Sequence, residues 1–303
     1  MSARTTGVTV RVPAKVNVQL AVGGARPDGF HDLANVFLAV SLFDEVTATP
    51  ADTLTVTCEG PDADQVPLDR TNLAARAAEI LAARHGIEPA VHLHIAKNIP
   101  VAGGMAGGSA DGAGALLACD TLWGLDTPRA ELLDICAELG SDVPFSLVGG
   151  AALGTGRGEL LTPVAAGAFH WVFAVADGGL STPAVFREFD RLTAEVEVPE
   201  PEASPALLAA LASGDAQTLA AALTNDLQAA ALSLRPSLAD TLSAGTGAGA
   251  LAALVSGSGP TTAFLVADEE SAAKVAAALD ASGTCRATRV ATSPAPGATV
   301  LPS

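Results

Sequence analysis

The sequence has few positive charges. Lysine and arginine together number 16 against 33 aspartates and glutamates, so the formal net charge at pH 7 is −17. A protein that binds nucleic acid needs cationic patches that displace the counterions of the phosphate backbone. We therefore expect neither nucleic acid nor an anionic membrane as the main partner, whereas a local site could still bind a small phosphorylated ligand. Only three lysines occur, at Lys15, Lys97 and Lys274.

Cysteine is also sparse, and its spacing does not match the common metal motifs. The sequence has no C-x-x-C pair and no close cluster of Cys and His. Its four cysteines are Cys58, Cys119, Cys136 and Cys285. Free thiols in a reducing compartment are the plain expectation. His92 and His94 would share one face of a strand, but without a third ligand they are a weak metal signal. We predict no metal held by the protein's own side chains.

The chain is long enough for two domains and apolar enough to bury a core. It has 303 residues, of which 49% are hydrophobic types and 16% are charged, and disordered chains have the opposite balance. Residues 1–11 contain no apolar segment typical of a secretion signal. An uncharged stretch, 246–267, is interrupted by Gly, Ser, Thr and Pro, so we expect loop and strand there. These features predict a soluble, cytoplasmic protein.

The order of elements in the first half of the chain indicates an α+β fold. Alternating apolar residues predict strands over 8–12, 16–22 and 91–95. A helix is predicted over 71–84, and another begins after a Thr127 cap and ends near Gly140. A glycine-rich loop and a further helix lie between them. This order does not alternate as the elements of a doubly wound sheet would.

The second half of the chain has a different composition. Residues 192–205 carry four acidic residues and three prolines, which is typical of a solvated connection. Alternating segments at 251–255 and 262–266 predict a hairpin, followed by a helix over 269–279 and a strand near 288–291. The arrangement resembles a split βαβ unit.

A glycine-rich loop between a strand and a helix is the best candidate for binding phosphate. It lacks the lysine of the Walker A motif. Its glycines let backbone N–H groups approach an anion, and the helix that follows presents the positive end of its dipole. Taken alone, the loop has an equally good interpretation as a flexible turn. This glycine loop consists of Pro100, Val101, Ala102, Gly103, Gly104, Met105, Ala106, Gly107, Gly108, Ser109 and Ala110.

Three further segments accompany the glycine loop. They are Pro13–Asn17, Gly140–Phe145 and Ser256–Thr261. In isolation these predict a solvated lysine, a cap after a helix and a hairpin turn. In this order, together with the loop, they resemble the GHMP kinase superfamily over about residues 12–266. The resemblance implies an N-terminal domain like ribosomal protein S5 over 1–165 and a ferredoxin-like domain over 166–303, with the active site in the cleft between them.

The resemblance also assigns the catalytic pair. Lys15 and Asp142 match the lysine and aspartate of the superfamily. A carboxylate can orient an attacking hydroxyl and accept its proton, and a nearby ammonium stabilises the negative charge that develops. ATP is the implied phosphoryl donor, with Mg²⁺ held mainly by the ATP phosphates. The chain could be a monomer or a homodimer.

A finer resemblance is to superfamily members that act in the non-mevalonate route to isoprenoid precursors, on an alcohol carrying a cytidine diphosphate group. It implies that Asn17 and Thr182 contact the alcohol portion. The cytosine would stack between Phe30 and Phe186, since base stacking is worth about 1–3 kcal/mol per base. His31 would contact the edge of the base.

The adenine side is assigned by the same resemblance to Asn72, Leu73 and Lys97. The sequence departs from the family pattern at Phe30, where tyrosine is common, and at Ala102 and Ala106, where glycine is common. Asp111 stands where the family commonly has asparagine, which raises the hypothesis that it tunes the dependence on metal. Two alternatives stay open: a GHMP kinase for another alcohol, such as homoserine or mevalonate, and a nucleotide sensor without catalysis on the same scaffold.

Overall fold

The computed structural model describes residues 7–302. The prediction that the chain lacks a secretion signal falls partly on residues 1–6, which lie outside the described residues. The strands are β1 (Val8–Ala25), β2 (His31–Pro50), β3 (Thr55–Glu59), β4 (Val91–Ala96), β5 (Ala151–Thr155), β6 (Leu160–Pro163), β7 (Phe169–Val175), β8 (Thr224–Asn225), β9 (Ala252–Val255), β10 (Thr262–Val266), β11 (Ala287–Ser293) and β12 (Thr299–Val300).

Ten α-helices and one short 3₁₀ turn, at Ala63–Gln65, connect these strands in the described part of the chain. The helices are α1 (Leu73–His85), α2 (Gly107–Trp123), α3 (Arg129–Leu139), α4 (Val143–Val148), α5 (Thr182–Thr193), α6 (Pro205–Ser213), α7 (Ala216–Ala220), α8 (Gln228–Leu234), α9 (Leu238–Gly247) and α10 (Glu269–Ser282). Between residues 7 and 302, none of them combines the length and the apolar character that crossing a bilayer requires.

The first sheet has eight strands and is built around the long hairpin of β1 and β2. Its main order is β12–β1–β2–β4–β3, with β5 and β6 continuing from β2 and β8 pairing with β1. The β1–β2 pairing shifts register between Pro13 and Ala14 and again between Asn17 and Gln19. Such bulges bend a strand and redirect its side chains. They flank Lys15, so the bent part of β1 carries that side chain.

The second sheet has the order β11–β7–β10–β9, and all of its pairs are antiparallel. Side chains of β7 alternate between its two faces. Trp171 and Phe173 join the large core that the first sheet also uses, and Val172 packs in a separate cluster with Val275 and Leu279 of α10. The strand order and the α10 crossover form the predicted split βαβ unit, so the α+β prediction is confirmed.

The domain boundary proposed at residue 165 stays a prediction. Two late segments return to the first sheet: β8 pairs in parallel with β1, and β12 pairs antiparallel with it. The connection over 194–204 carries no helix or strand, and it is attached to β1 because the Gln19 side chain donates to the Glu202 carbonyl and accepts from the Ser204 N–H.

Most predicted elements occur within a few residues of their expected bounds, with two informative exceptions. The predicted Thr127 cap is wrong: the residue that caps α3 is Pro128, and the Thr127 hydroxyl instead contacts His85 Nε2 at 3.0 Å. Strand β7 was not predicted. Five of its seven residues are buried in one run, because the sheet has helices or core on both faces, so the period-2 pattern is absent.

Helix α2 lies directly on the β1–β2 hairpin, and a glycine permits this close approach. A methyl group added at Gly114 would stand 2.7 Å from Val12 Cγ2 and 2.9 Å from Val46 Cγ2. Both distances are shorter than carbon atoms tolerate, so the helix would have to move away from the sheet. Because α2 begins at the glycine loop, its seating on the sheet also sets the position of that loop.

We expect Gly114→Ala to lower the free energy of unfolding by about 1–2 kcal/mol, since overpacking outweighs the better helix propensity of alanine. Gly108→Ala on the same helix is the matched control, because no atom lies within 4 Å of its added methyl group. Urea unfolding of both variants measures the difference. Equal stabilities would show that the contact with Val12 and Val46 does not limit the approach of α2.

Candidate active site

A cleft of about 840 Å³ lies between the bent part of β1, the glycine loop, the start of α4 and the N-terminal part of α5. The glycine turn, residues Ser256–Thr261, forms another wall of it. The predicted residues that line this cleft are Lys15, Asn17, Phe30, His31, Leu73, Ala102, Gly103, Gly104, Ala106, Gly107, Gly108, Ser109, Asp142, Thr182 and Phe186.

Lys15 is held in the cleft wall by one acceptor on its own strand and one in the glycine loop. Its Nζ donates to Asn17 Oδ1 at 2.6 Å and to the Gly104 carbonyl at 2.9 Å. Asn17 in turn donates to Asn35 Oδ1 at 2.7 Å. Lys15 and Asn17 lie two residues apart on β1 and so project from the same face of the strand. The hydrogen bonds fix the ammonium at the base of the glycine loop.

Asp142 carries the negative charge nearest to this ammonium. Its Oδ2 lies 3.7 Å from Lys15 Nζ, and the carboxylate side chain is 32% exposed, against 6% for the lysine. Burial lowers the pKa of Lys15, and the carboxylate of Asp142 opposes that shift. Asp142 occupies the N-cap position of α4, but its side chain makes no capping hydrogen bond. The carboxylate therefore remains available to a group bound in the cleft.

The glycine loop and the glycine turn touch each other through their backbones. A Cβ atom at Gly104 would stand 2.0 Å from the Ser256 carbonyl oxygen, and Gly104 has φ +75°. Ser256 Oγ donates to the Gly104 carbonyl at 3.1 Å. On the other side of this contact, a Cβ atom at Gly257 would stand 3.1 Å from Lys15 Nζ. At Gly104 the backbone contact excludes a side chain, whereas a Cβ atom at Gly257 would crowd the Lys15 ammonium, and the positive φ of both residues favours glycine.

The start of α2 has the features of a phosphate-binding site. Its first residues, Gly107, Gly108 and Ser109, line the cleft, and the first N–H groups of a helix have no partner within the helix. The helix dipole adds partial positive charge at the same place. The glycine loop leads directly into α2, which is seventeen residues long.

The two alanines of the glycine loop adopt the left-handed conformation. Ala102 has φ +51° and Ala106, which caps α2, has φ +61°. The Cβ atom makes this conformation costly for any residue other than glycine. The alanines at these two positions therefore place backbone strain in the glycine loop.

The opposite end of the cleft is aromatic. The rings of His31 and Phe186 lie 5.0 Å apart between centroids with a tilt of 32°, and His31 Nε2 contacts Asp190 Oδ1 at 2.8 Å. Phe30 is 49% exposed, and the guanidinium carbon of Arg157 stands 5.1 Å from its ring centroid. We call Phe30, His31 and Phe186 the aromatic end of the cleft.

Several predicted ATP contacts do not line the cleft. Asn72 caps α1, where its Oδ1 accepts from the Ala74 N–H at 2.8 Å. Lys97 is buried beneath the glycine loop between Asp44 and Asp111. The other loop residues outside the cleft lining are Pro100, Val101, Met105 and Ala110. A role of these residues in binding ATP stays a prediction, and the burial of Lys97 favours a structural role. Asp111 also lies behind the loop rather than at the cleft surface.

Sequence reasoning assigned no role to seven polar residues that line the cleft, namely Asn35, Ser141, Arg157, Ser181, Arg187, Asp190 and Ser258. The sequence contains a feature that could have identified two of these residues. Asn35 interrupts the apolar run of β2, and Asp190 follows Phe186 by four residues, which places both on one face of α5. Ser258 lies in the glycine turn and contacts the Thr182 hydroxyl at 2.8 Å.

We expect Ala106→Gly to raise the free energy of unfolding by about 0.5–1 kcal/mol, because relief of the left-handed strain exceeds the entropy that glycine adds to the unfolded chain. Ala110→Gly, four residues further along inside α2, is the matched control and should lower it by about 1 kcal/mol. Thermal and urea unfolding measure both. Destabilisation by both substitutions would show that Ala106 carries no strain.

Comparisons with known proteins agree with this geometry. Residues 72–150 match the GHMP kinases N terminal domain, and residues 207–285 match the GHMP kinases C terminal domain. A 4-diphosphocytidyl-2-C-methyl-D-erythritol kinase from Streptomyces avermitilis is 80% identical over 97% of this chain and 99% of its own length. The protein of that name from Streptomyces coelicolor is 76% identical, with coverage of 97% and 99%.

Solved structures show the same fold. A 4-(cytidine 5'-diphospho)-2C-methyl-D-erythritol kinase superposes with a TM-score of 0.78 at 31% identity, covering 94% of this chain and 99% of its own. A homoserine kinase from Cytophaga hutchinsonii, at 20% identity and a TM-score of 0.74 with 99% of both chains covered, shares the fold. The chain therefore belongs to the GHMP kinase family, in the branch whose members are named 4-diphosphocytidyl-2-C-methyl-D-erythritol kinase.

Proposed function

We propose that this protein transfers the γ-phosphoryl group of ATP to a hydroxyl of 4-diphosphocytidyl-2-C-methyl-D-erythritol, giving the 2-phosphate and ADP. The observation that carries the proposal is the position of Lys15 and Asp142. Their side chains line one cleft together with the start of α2 and the aromatic end. An anion-binding helix terminus suits the phosphates of ATP, a carboxylate beside a positive charge suits the attacking hydroxyl, and a stacking site suits the cytosine of this substrate.

Asp142 is the proposed base. The hydroxyl oxygen of the alcohol forms a bond to the γ-phosphorus, and the bond from that phosphorus to the bridging oxygen of ADP breaks. The hydroxyl proton passes to the Asp142 carboxylate, which is partly exposed and not engaged in capping α4. No covalent phosphoenzyme is required, because the base acts directly on the attacking group.

Lys15 is the proposed electrostatic stabiliser. Its hydrogen-bond acceptors, Asn17 and Gly104, are neutral, so they hold the ammonium without cancelling its charge. The contact with Asp142 is longer, at 3.7 Å. A bound phosphoryl group would therefore meet a fixed positive charge on a side chain that is only 6% exposed, and electrostatic stabilisation is stronger at a buried group than at a solvated one.

The nucleotide would lie with its phosphates on the N-terminus of α2. The unpaired N–H groups of that terminus fit a polyphosphate, as do the glycines that leave its approach open. Mg²⁺ bound to ATP neutralises phosphate charge during transfer, and we propose that phosphate and water oxygens supply most of its ligands. We also propose a cytoplasmic location, and a monomer or homodimer as the active form.

The aromatic end is proposed to select the cytidine group. Phe30 and Phe186 offer two ring faces, and Asp190 holds His31 in a defined orientation by contact with Nε2. Arg157 stands over the exposed ring of Phe30 in a cation–π contact. These contacts favour an aromatic base over a short alcohol such as homoserine.

We expect Asp142→Asn to lower kcat by about 10²–10⁴-fold, because an amide cannot accept the hydroxyl proton. Release of ADP from ATP and Mg²⁺ measures turnover, with the cytidine-bearing alcohol compared against the same alcohol without cytidine. The matched control is Asp134→Asn on α3, an exposed residue outside the cleft. It should leave kcat unchanged.

The outcomes of this assay separate the competing functions. Turnover only with the cytidine-bearing alcohol, lost in Asp142→Asn, supports the proposal. Turnover with a different alcohol would point to another kinase of the same family. Tight binding of ATP without turnover of any of these alcohols would overturn the proposal and favour a sensor.

We expect Phe186→Leu to raise KM for the cytidine-bearing alcohol about tenfold while KM for ATP stays unchanged, because loss of base stacking costs about 1–3 kcal/mol. The control is Phe43→Leu, which alters a phenylalanine of β2 that does not line the cleft. Steady-state kinetics with each substrate varied in turn measures both constants. An unchanged KM for the alcohol would contradict the assignment of the aromatic end to cytidine.

A further inference from the structure

A cluster of three buried charged side chains lies behind the glycine loop. Lys97 Nζ contacts Asp44 Oδ2 at 2.6 Å and Asp111 Oδ2 at 2.7 Å. The exposed fractions of the three side chains are 1%, 0% and 4%, in the order Lys97, Asp44 and Asp111. None of them lines the cleft. We call these residues the buried charge cluster.

The buried charge cluster touches both ends of the glycine loop. Before the loop, Asp44 Oδ1 accepts the backbone N–H groups of Asn98 at 2.6 Å and Ile99 at 2.8 Å. After the loop, Asp111 belongs to the first half of α2. A methyl group at Gly107, the first residue of α2, would stand 2.9 Å from Lys97 Nζ. The cluster therefore ties β2, the end of β4 and the start of α2 together beneath the proposed phosphate site.

The charges of this cluster do not balance. One ammonium faces two carboxylates, so full ionisation leaves one buried negative charge close to where ATP phosphates would bind. Asp111 Oδ1 is buried without a hydrogen-bond partner, whereas both oxygens of Asp44 accept hydrogen bonds. An ionised carboxylate oxygen that lacks a partner is costly in a buried position. Asp111 is thus the member of the cluster that gains most from taking a proton.

The surroundings of Asp111 agree with this assignment. Burial raises its pKa to about 7, Lys97 opposes that shift and Asp44 adds to it. A further titratable group close to this cluster is Cys58 of β3, whose pKa is raised first by burial and then by Asp111. That thiol stays protonated near neutral pH and adds no charge. A change of charge in the cluster near neutral pH therefore falls on Asp111.

We propose that the buried charge cluster positions the glycine loop and that Asp111 takes up a proton from solvent when a polyphosphate binds at the start of α2. The bound anion adds negative potential to a site that already holds surplus negative charge. Protonation of Asp111 leaves Lys97 and Asp44 as a neutral pair and removes the repulsion. Asp111 acts through the loop, so it is a positioning residue and not a catalytic one. This inference depends on one part of the proposed function, the binding of ATP at the glycine loop, and not on the identity of the alcohol.

The test measures proton uptake when ATP binds, in the absence of the alcohol substrate. Calorimetry at pH 8 in two buffers with different ionisation enthalpies gives the number of protons taken up per ATP. We expect about 0.3–0.5 more protons for the wild type than for Asp111→Asn, if ATP raises the pKa of Asp111 by about one unit. Asn fits the site because its Oδ1 can still accept from Lys97, and it cannot titrate. Asp134→Asn, an exposed change on α3, should match the wild type.

A second readout uses the affinity itself. Between pH 7 and pH 8.5, the Kd for ATP should rise about three- to tenfold more in the wild type than in Asp111→Asn, since deprotonation of Asp111 then opposes binding. Any titration of ATP itself is common to both proteins and cancels in the comparison. A loss that reflects only poorer folding would lower affinity at all pH values without changing this slope.

If Asp111→Asn does not fold, the proposal can be tested on the wild type alone. Infrared difference spectra are then recorded on addition of ATP to protein that carries ¹³C-labelled aspartate. A new protonated carboxyl band that shifts with the label supports it. Its absence, or equal proton uptake by wild type and Asp111→Asn, overturns it while leaving the kinase function intact. Failure of the kinase assay with normal proton uptake would instead reject the substrate and keep this inference.

Discussion

The cleft depends on the burial of one ammonium group, that of Lys15. Removing a charged group from water is costly unless hydrogen bonds replace its hydration. Here the replacements come from β1 through Asn17 and from the glycine loop through Gly104. Because both acceptors are neutral, the charge remains available to a ligand. The requirement for these acceptors also fixes the distance between β1 and the glycine loop, on which the shape of the cleft depends.

The glycine turn of the second domain also packs against Lys15, and it can do so because Gly257 has no side chain. The glycine turn approaches so closely that any Cβ atom at Gly257 would lie 3.1 Å from Lys15 Nζ and from Asn17 Oδ1. Ser256 donates to the same Gly104 carbonyl that Lys15 contacts. The carbonyl thus joins both halves of the molecule. A glycine turn in a distant part of the sequence is therefore part of the site through its backbone, which explains why its motif accompanies the lysine.

The sequence predicted the parts of the site that are contiguous or carry a rare residue type. The glycine loop, Lys15 and Asp142 were identified because each lies in a short motif, and the cleft contains all three. Contacts made only by tertiary packing were missed. Arg157 reaches Phe30 from the turn between β5 and β6, and nothing in its local sequence indicates that partner. The same limit applies to β7, whose burial on both faces removes the alternation that identifies a strand.

The two buried lysines show why a residue type alone does not define a role. Lys15 and Lys97 lie on opposite sides of the glycine loop, and each is almost fully buried. Lys15 has neutral acceptors, and burial lowers its pKa. Lys97 has two carboxylates, which outweigh the opposing effect of burial and raise its pKa. The charge of Lys15 therefore remains available to a ligand, whereas the charge of Lys97 is neutralised by carboxylates inside the protein. The difference lies in the partners that the fold supplies, because Asp44 of β2 and Asp111 of α2 meet Lys97 only through tertiary contacts.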